Sequence, residues 1–366
     1  MSLAVAFLET AARHDYGARL QRLRWRRLAR AASAVSWAPG DPAGGALRGS
    51  AEWLVVLDAT ALPVPSAAPP AAVPGRVVAA AEASPQDPNV HTLRELEGAR
   101  VSSRGASVPA ALLFRPEDFP PAPGETVEKL IERLRGRADV SVRDERLAAV
   151  PFPAPAESER PELTRRLPEG PLAILDVGCG AGAAIASAAA RRPGWRVTGI
   201  EADPLLAGRA RLHCARVLEG DLRRVLPGLA QAGERFDAVV FADVLEHLED
   251  PVAALVAARR VAGPGARLLV SVPNVGHLSL VRDLAAGRFD PIPAGLADAG
   301  HLRWFTRSSL DEAIAEAGWR VLSIEGERGA PPPDAAGFLA AVAGWPGLDR
   351  DALLTYQWIA RAAADA

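Results

Sequence analysis

The sequence has little of several things that would place it early. Cysteine occurs twice in 366 residues, at Cys179 and Cys214. That is too few for a disulfide framework and fits a reducing, cytoplasmic setting. An excess of one charge is also missing: the formal net charge of -2 gives no general attraction to nucleic-acid backbones or anionic membranes. No uncharged apolar run approaches the ~20 residues that span a bilayer. The start, Met1 to Leu8, meets Glu9 without the basic region, long apolar stretch and cleavage site of a secretion signal. These absences lead to the expectation of a soluble, cytoplasmic chain with no nucleic-acid partner and no membrane span.

What is present suffices for packed cores. Hydrophobic residues at 49% and charged residues at 23% describe a globular chain rather than a disordered one, and its length calls for two domains. Residues 1–150 are rich in Pro and Ala. Segments such as Pro63-Val64-Pro65-Ser66 and Pro69-Pro70 cannot be long helices; this part reads as a smaller α/β domain. Residues 151–171 place prolines among charges and read as a linker. From 172 to 366 short apolar runs at 174–177, 196–200, 238–241 and 267–272 alternate with helix-length segments at 183–192, 204–213 and 252–261. Nearly uncharged, β-branched runs suit strands buried on both faces of a parallel sheet, and the alternation predicts a doubly wound α/β domain.

Ile174-Leu175-Asp176-Val177-Gly178-Cys179-Gly180-Ala181-Gly182 is a buried strand running into a glycine-rich turn that opens a helix. Glycines let the backbone turn sharply and approach a ligand without Cβ clashes, and amides at a helix start face a ligand's negative end. The same spacing satisfies dinucleotide binding, so a nicotinamide enzyme competes at this point. Two strand ends add carboxylates. Glu201, in Gly199-Ile200-Glu201-Ala202-Asp203, can accept from ribose hydroxyls and does not discriminate. Asp221, in Glu219-Gly220-Asp221-Leu222, can accept from an adenine amino group while Leu222 covers the ring. Asp176 precedes the first glycine by two residues. The three together suit one adenosine with an amino-acid tail and no pyrophosphate.

These motifs resemble the class I S-adenosylmethionine-dependent methyltransferases. Residues 176–182 look like their first motif, 236–248 like their fourth strand and its turn, and 318–324 with 353–359 like their closing antiparallel hairpin. The resemblance implies a Rossmann-like seven-stranded sheet, S-adenosylmethionine as cofactor, and cofactor contacts from Asp176, Gly178, Cys179, Gly180, Gly182, Glu201, Ala202, Asp221, Leu222, Ala242 and Asp243. Asp243-Val244-Leu245-Glu246-His247-Leu248-Glu249-Asp250-Pro251, Val272-Pro273-Asn274 and Gly300-His301-Leu302-Arg303-Trp304-Phe305-Thr306 resemble the ubiquinone-biosynthesis-type subgroup. That subgroup implies a small-molecule acceptor.

A base contributes about 10²–10⁴-fold when the acceptor is a hydroxyl. Three histidines fall where loops should roof the site: His247, which leads because it follows the fourth strand directly, His277 and His301. No metal is expected. As a minority alternative, a helix starting at Asp243 would put Asp243, Glu246 and His247 on one face as ligands for a hard cation. The stretch ending in 300–306 is expected to cover the acceptor, with Thr306 capping the next helix.

In the first half, 51–60 and 109–119 read as strands, and they resemble worn strands of family 2 glycosyltransferases. Asp58-Ala59-Thr60 offers one carboxylate where a metal motif needs two. Residues 19–30 read as a docked amphipathic helix with a solvated arginine face. The expected function is therefore methyl transfer to a small molecule, on a hydroxyl of a sugar, glycosylated or natural-product metabolite. N-methylation, a cofactor-binding scaffold and a nicotinamide oxidoreductase remain alternatives, and a homodimer is an open alternative for the assembly.

Overall fold

The computed structural model describes residues 111–115, 117–135, 143–150 and 159–364, apart from 293, 294, 330 and 332–334. Before 111 it describes 3–8, 24, 33–37, 43, 52–56, 62–63, 78–85 and 101–103. Most of the arginine-rich segment 19–30 and all of Asp58-Ala59-Thr60 lie outside the described residues. The chain forms two compact units, one of residues 1–152 with 289–300, the other of 153–288 with 301–366. Among the described residues no helix is long and apolar enough to cross a membrane.

The first unit is built on a mixed sheet. Its strands are β1 (Leu3–Leu8), β2 (Ser33–Trp37), β3 (Glu52–Val56), β4 (Leu62–Pro63), β5 (Val78–Pro85), β6 (Val101–Ser103), β7 (Ala111–Phe114) and β8 (Arg143–Val150). They run in the order β2-β1-β3-β7-β5-β8-β4, with β6 paired to β5. The expected strands at 51–60 and 109–119 appear as β3 and β7, antiparallel neighbours. Helix α1 (Val127–Arg135) follows, unforeseen in the sequence although Val127, Leu130, Ile131 and Leu134 recur at helical spacing and are all buried. Arg133 ties its outer face to Glu125.

The second unit opens with α2 (Pro161–Thr164), inside the stretch expected as linker. Its sheet comprises β9 (Leu172–Val177), β10 (Trp195–Glu201), β11 (Arg216–Glu219), β12 (Phe236–Ala242), β13 (Ala262–Pro273), β14 (Arg320–Glu327) and β15 (Gln357–Ala363). The order is β11-β10-β9-β12-β13-β15-β14. The first five are parallel, and β15 runs antiparallel to both neighbours. Successive residues point to opposite faces. Leu175, Val177, Val239, Phe241, Val270 and Trp358 enter one core, while Ile174, Ala238, Val240, Leu269 and Ile359 enter the other.

Helices are α3 (Ala186–Ala189), α4 (Pro204–Ala210), α5 (Leu222–Gln231), α6 (Pro251–Arg259), α7 (Leu278–Ala285), α8 (Arg307–Glu316), α9 (Ala335–Val342) and α10 (Arg350–Leu354). Several starts are capped by aspartate side chains. Asp203 accepts from Leu205 and Leu206 amides, Asp221 from Arg223, and Asp250 from Ala253. Thr306 and Ser309 form a capping box for α8, as expected of Thr306. The sequence overstated the helix at 183–192, which shrinks to the four residues of α3, and placed the last strand early: 353–354 belong to α10 and β15 begins at Gln357.

Trp319 links the layers: it is buried, and its indole donates to the Leu255 carbonyl of α6 at 3.0 Å. Trp319→Ala should destabilise the second unit by about 3–5 kcal/mol, read from the urea midpoint of its unfolding. A loss under about 1 kcal/mol would show that this contact does not secure α6.

Candidate functional site

The carboxyl ends of the parallel strands surround a cavity of about 420 Å³. Open α/β sheets bind ligands at this edge. Its lining holds Asp176, Gly178, Cys179, Gly180, Glu201, Ala202, Leu222, Ala242, Asp243 and His247 of the expected residues, with Arg160 and Val244 added. A neighbouring cavity of about 450 Å³ contains Asp221, Arg223 and Glu249 and shares Ala202, Leu222 and His247 with the first.

The turn after β9 is shaped by glycine. Gly178 and Gly180 have φ of 72° and 55°, in the left-handed region that side chains disfavour. A Cβ on Gly178 would lie 2.6 Å from Val244 Cγ2, so the loop can only close here without one. Gly178 and Cys179 amides donate to the Ile200 carbonyl, and the Gly180 amide to Glu201 Oε2 at 2.8 Å. Glu201 Oε1 accepts from the Asp203 amide. One carboxylate thus ties β10 to the loop. Gly182 lies outside the cavity lining and packs near Ala210 and His213.

Asp176 is the unusual group. It is 1% exposed, and neither carboxylate oxygen has a hydrogen-bond partner among the described residues. Burial, then the charge of Glu201, raises its pKa to about 7. Unpartnered buried oxygens lining a cavity are what a ligand with donors would satisfy. Arg160 supplies the opposite charge. Its Nη1 donates to Asp243 Oδ2 at 2.6 Å, and its Nε pairs with Glu162. Burial opposes its charge, but Asp243 and Glu162 outweigh that and hold its pKa above the ordinary value. The sequence reading missed Arg160 because a lone arginine among prolines carries no motif.

Asp243 departs from expectation. Its φ of 56° makes it a non-glycine residue in left-handed backbone, so no helix starts there; only a 3-10 turn, Leu245–His247, follows. Its carboxylate turns to Arg160, Ser271 and Gln357. The proposed Asp243, Glu246 and His247 ligand set is therefore not assembled. Instead Glu246, His247 and His301 bring ligand atoms within 4.8 Å of one another. The Leu302 and Arg303 amides, donating to the Glu246 carbonyl at 2.7 and 3.0 Å, hold the two segments together.

The three histidines separate. His247 lines both cavities. His301 stacks edge-on to it, ring centres 4.9 Å apart. His277 is buried and caps α7, its Nδ1 accepting from the Ser279 amide at 3.3 Å, which gives it a structural task away from the cavity lining. Asp221 caps α5 and pairs with Arg223 at 2.5 Å; that partner holds its pKa below the usual value.

A cavity with three carboxyl groups, one guanidinium and a glycine cradle fits an adenosyl ligand bearing an amino-acid end, and its acids would repel a pyrophosphate. Comparison with known proteins agrees. Residues 143–324 match the family model described as a methyltransferase domain. A ubiquinone biosynthesis O-methyltransferase of Cereibacter sphaeroides is 34% identical over 167 residues, 44% of this chain and 66% of the relative. Another of that description, from Xylella fastidiosa, is 36% identical over 115 residues, 31% of this chain and 46% of the relative. The chain thus spans less than two thirds of the length of these relatives. A solved S-adenosylmethionine-dependent methyltransferase from Archaeoglobus fulgidus is 17% identical, with a TM-score of 0.40, covering 53% of this chain and 87% of that one. The matched stretch is a class I S-adenosylmethionine-dependent methyltransferase domain, and S-adenosylmethionine is that domain's cofactor.

Asp176 gives a prediction with a sign. Because its folded pKa is raised, its contribution to stability is fully present below the ordinary aspartate value and is lost as pH rises through about 7. Between about pH 5 and pH 8 the cofactor-free protein should lose about 2–3 kcal/mol relative to Asp176→Asn, measured by denaturant unfolding at each pH. The variant should also bind S-adenosylhomocysteine more weakly. Parallel pH profiles for the two proteins would show that Asp176 is not the strained group.

Proposed function

We propose that the protein methylates a hydroxyl of a small-molecule acceptor, with His247 as general base. The observation that carries this is the placement of His247 on the wall shared by both cavities, where His277 and His301 are absent from the lining. The named relatives are O-methyltransferases, which supports oxygen as the acceptor atom.

Bound cofactor supplies a methyl carbon already activated by the adjacent sulfonium, so positioning provides much of the acceleration. Glu201 takes the ribose hydroxyls, Asp221 and Leu222 the adenine, and Arg160 the carboxylate of the amino-acid end. Asp176 faces the same end and excludes pyrophosphate ligands. His247 takes the hydroxyl proton as the acceptor oxygen is methylated.

A sugar or glycosylated acceptor is the finer reading. Its support is the first unit, where β3 and β7, the two segments that resemble glycosyltransferase strands, pair side by side in one sheet. Both cysteines are free, in keeping with a reducing, cytoplasmic setting.

Calorimetric titration with S-adenosylhomocysteine, with NAD as control, tests the cofactor reading. Glu201→Ala should weaken binding by about 1.5–3 kcal/mol, the range for hydrogen bonds to a charged group; unchanged affinity would refute its role. With an acceptor found by screening sugars and phenols, His247→Ala should lower kcat about 10²–10⁴-fold. A near-normal rate would point to an amine acceptor, which needs no base. Tight cofactor binding with no turnover on any acceptor would favour a scaffold.

A further inference from the structure

The place of Arg160 in the cavity depends on residues far along the chain. Its Nη2 donates to Gln357 Oε1 at 2.9 Å, while Nη1 meets Asp243 Oδ2. Gln357 closes the ring, its Nε2 donating to Asp243 Oδ1 at 2.6 Å. The same Oδ1 accepts from Ser271 Oγ at 2.7 Å. The amide of Gln357 has one allowed orientation. Turned over, its Nε2 would face the guanidinium donors and its Oε1 the carboxylate, and both contacts would be repulsive. Gln357 is 5% exposed, so water does not substitute readily for either bond.

The segment carrying Arg160 is fastened to the same hairpin. Arg166 pairs with Glu325 and Glu327 at 2.9 and 2.7 Å, and Arg165 with Glu327 at 3.0 Å. All these acceptors lie on β14, the neighbour of β15, on which Gln357 is the first residue. A part-buried guanidinium within such a ring is costly to desolvate, and stability alone rarely explains one.

We infer that Gln357 is a positioning residue for the cofactor's amino-acid end: together with Asp243 it fixes the Arg160 guanidinium where the cofactor carboxylate is received. This rests on the assignment of the cavity to S-adenosylmethionine. The guanidinium keeps one planar orientation because Glu162 holds its Nε while two different acceptors, an amide oxygen and a carboxylate, hold its two terminal nitrogens. With Gln357 gone, Nη2 loses its acceptor, and the fork, still paired at Nε with Glu162 and at Nη1 with Asp243, can tilt about the line joining those two contacts. Discrimination between ligands with and without a carboxylate then falls, while the adenosine end, held by other strand ends, is untouched.

The test compares two ligands by calorimetry: S-adenosylhomocysteine, which carries the amino-acid end, and 5′-methylthioadenosine, which lacks it. In the wild type the former should bind more tightly. In Gln357→Met, which preserves length and burial, affinity for S-adenosylhomocysteine should fall about 10- to 100-fold, with less than about threefold change for methylthioadenosine. Gln357→Glu, which keeps an acceptor for Arg160 but sets a second carboxylate against Asp243, should show the same selective loss. Equal weakening of both ligands would reduce Gln357 to a folding role and overturn the inference, as would no weakening of either. Equal wild-type affinity for the two ligands would show that the carboxylate is not read. Failure of the wild type to bind either one would instead refute the assignment of the cavity, a distinct result.

Discussion

A carboxyl group held dry at the end of a parallel strand sets the terms for the rest of the site. Asp176 sits in the strand register between β10 and β12, where both neighbours bring backbone but no donor to its oxygens. Ionising it there is unfavourable, as its raised pKa shows. A strand end that serves the fold alone would carry an apolar residue or a partnered one. An acid here leaves two unpartnered acceptors in the same cavity as the glycines that clear space, Glu201 that fixes the loop, and the Arg160 guanidinium.

The glycine loop and Glu201 form a single device. Gly180 donates to one oxygen of Glu201, and Asp203 donates to the other. A carboxylate has room for further acceptor contacts beyond two backbone amides, so this bracing pre-orients Glu201 without exhausting it. Preorganisation of this kind lowers the ordering cost of binding. Cys179, between the glycines, has its thiol pushed up by the Cys214 thiol against it and by burial. The two side chains pack under Gly199, where any Cβ would meet Cys179 Sγ at 2.5 Å. Both cysteines are free and buried.

Much of this was legible in the sequence because it follows from short-range chemistry. A buried run ending in Asp176-Val177-Gly178 fixes a strand and a turn, and Glu201 and Asp221 end strands at the next repeats of the same unit. The strands at 174–177, 196–200 and 238–241 were readable because each is nearly uncharged. What escaped depends on contacts distant in the chain. Arg160 gains its meaning from Asp243, 83 residues on, and from Gln357, 197 residues on. Asp243 misled for a related reason. Its spacing to Glu246 and His247 promised a helical face, but tertiary pairing with Arg160 and Ser271 pulled its backbone into left-handed space. His301 likewise joins His247 through contacts distant in the chain, among them the Leu302 and Arg303 amides on the Glu246 carbonyl.

The antiparallel hairpin then has a role beyond extending the sheet. A purely parallel sheet would end at β13 and leave Asp243, at the β12 end, with Ser271 as its neighbour. Reversing β15 brings the beginning of that strand, Gln357, to the same edge as the carboxyl ends of β12 and β13. A strand in the parallel sense would present its last residue there instead. The reversal also sets Glu325 and Glu327 of β14 where Arg165 and Arg166 reach them, and so fixes the segment that delivers Arg160. Topology, rather than local sequence, is what supplies the cavity with its cation: Asp243 just past the end of β12 and Gln357 at the start of β15 converge on an arginine that lies outside the sheet altogether.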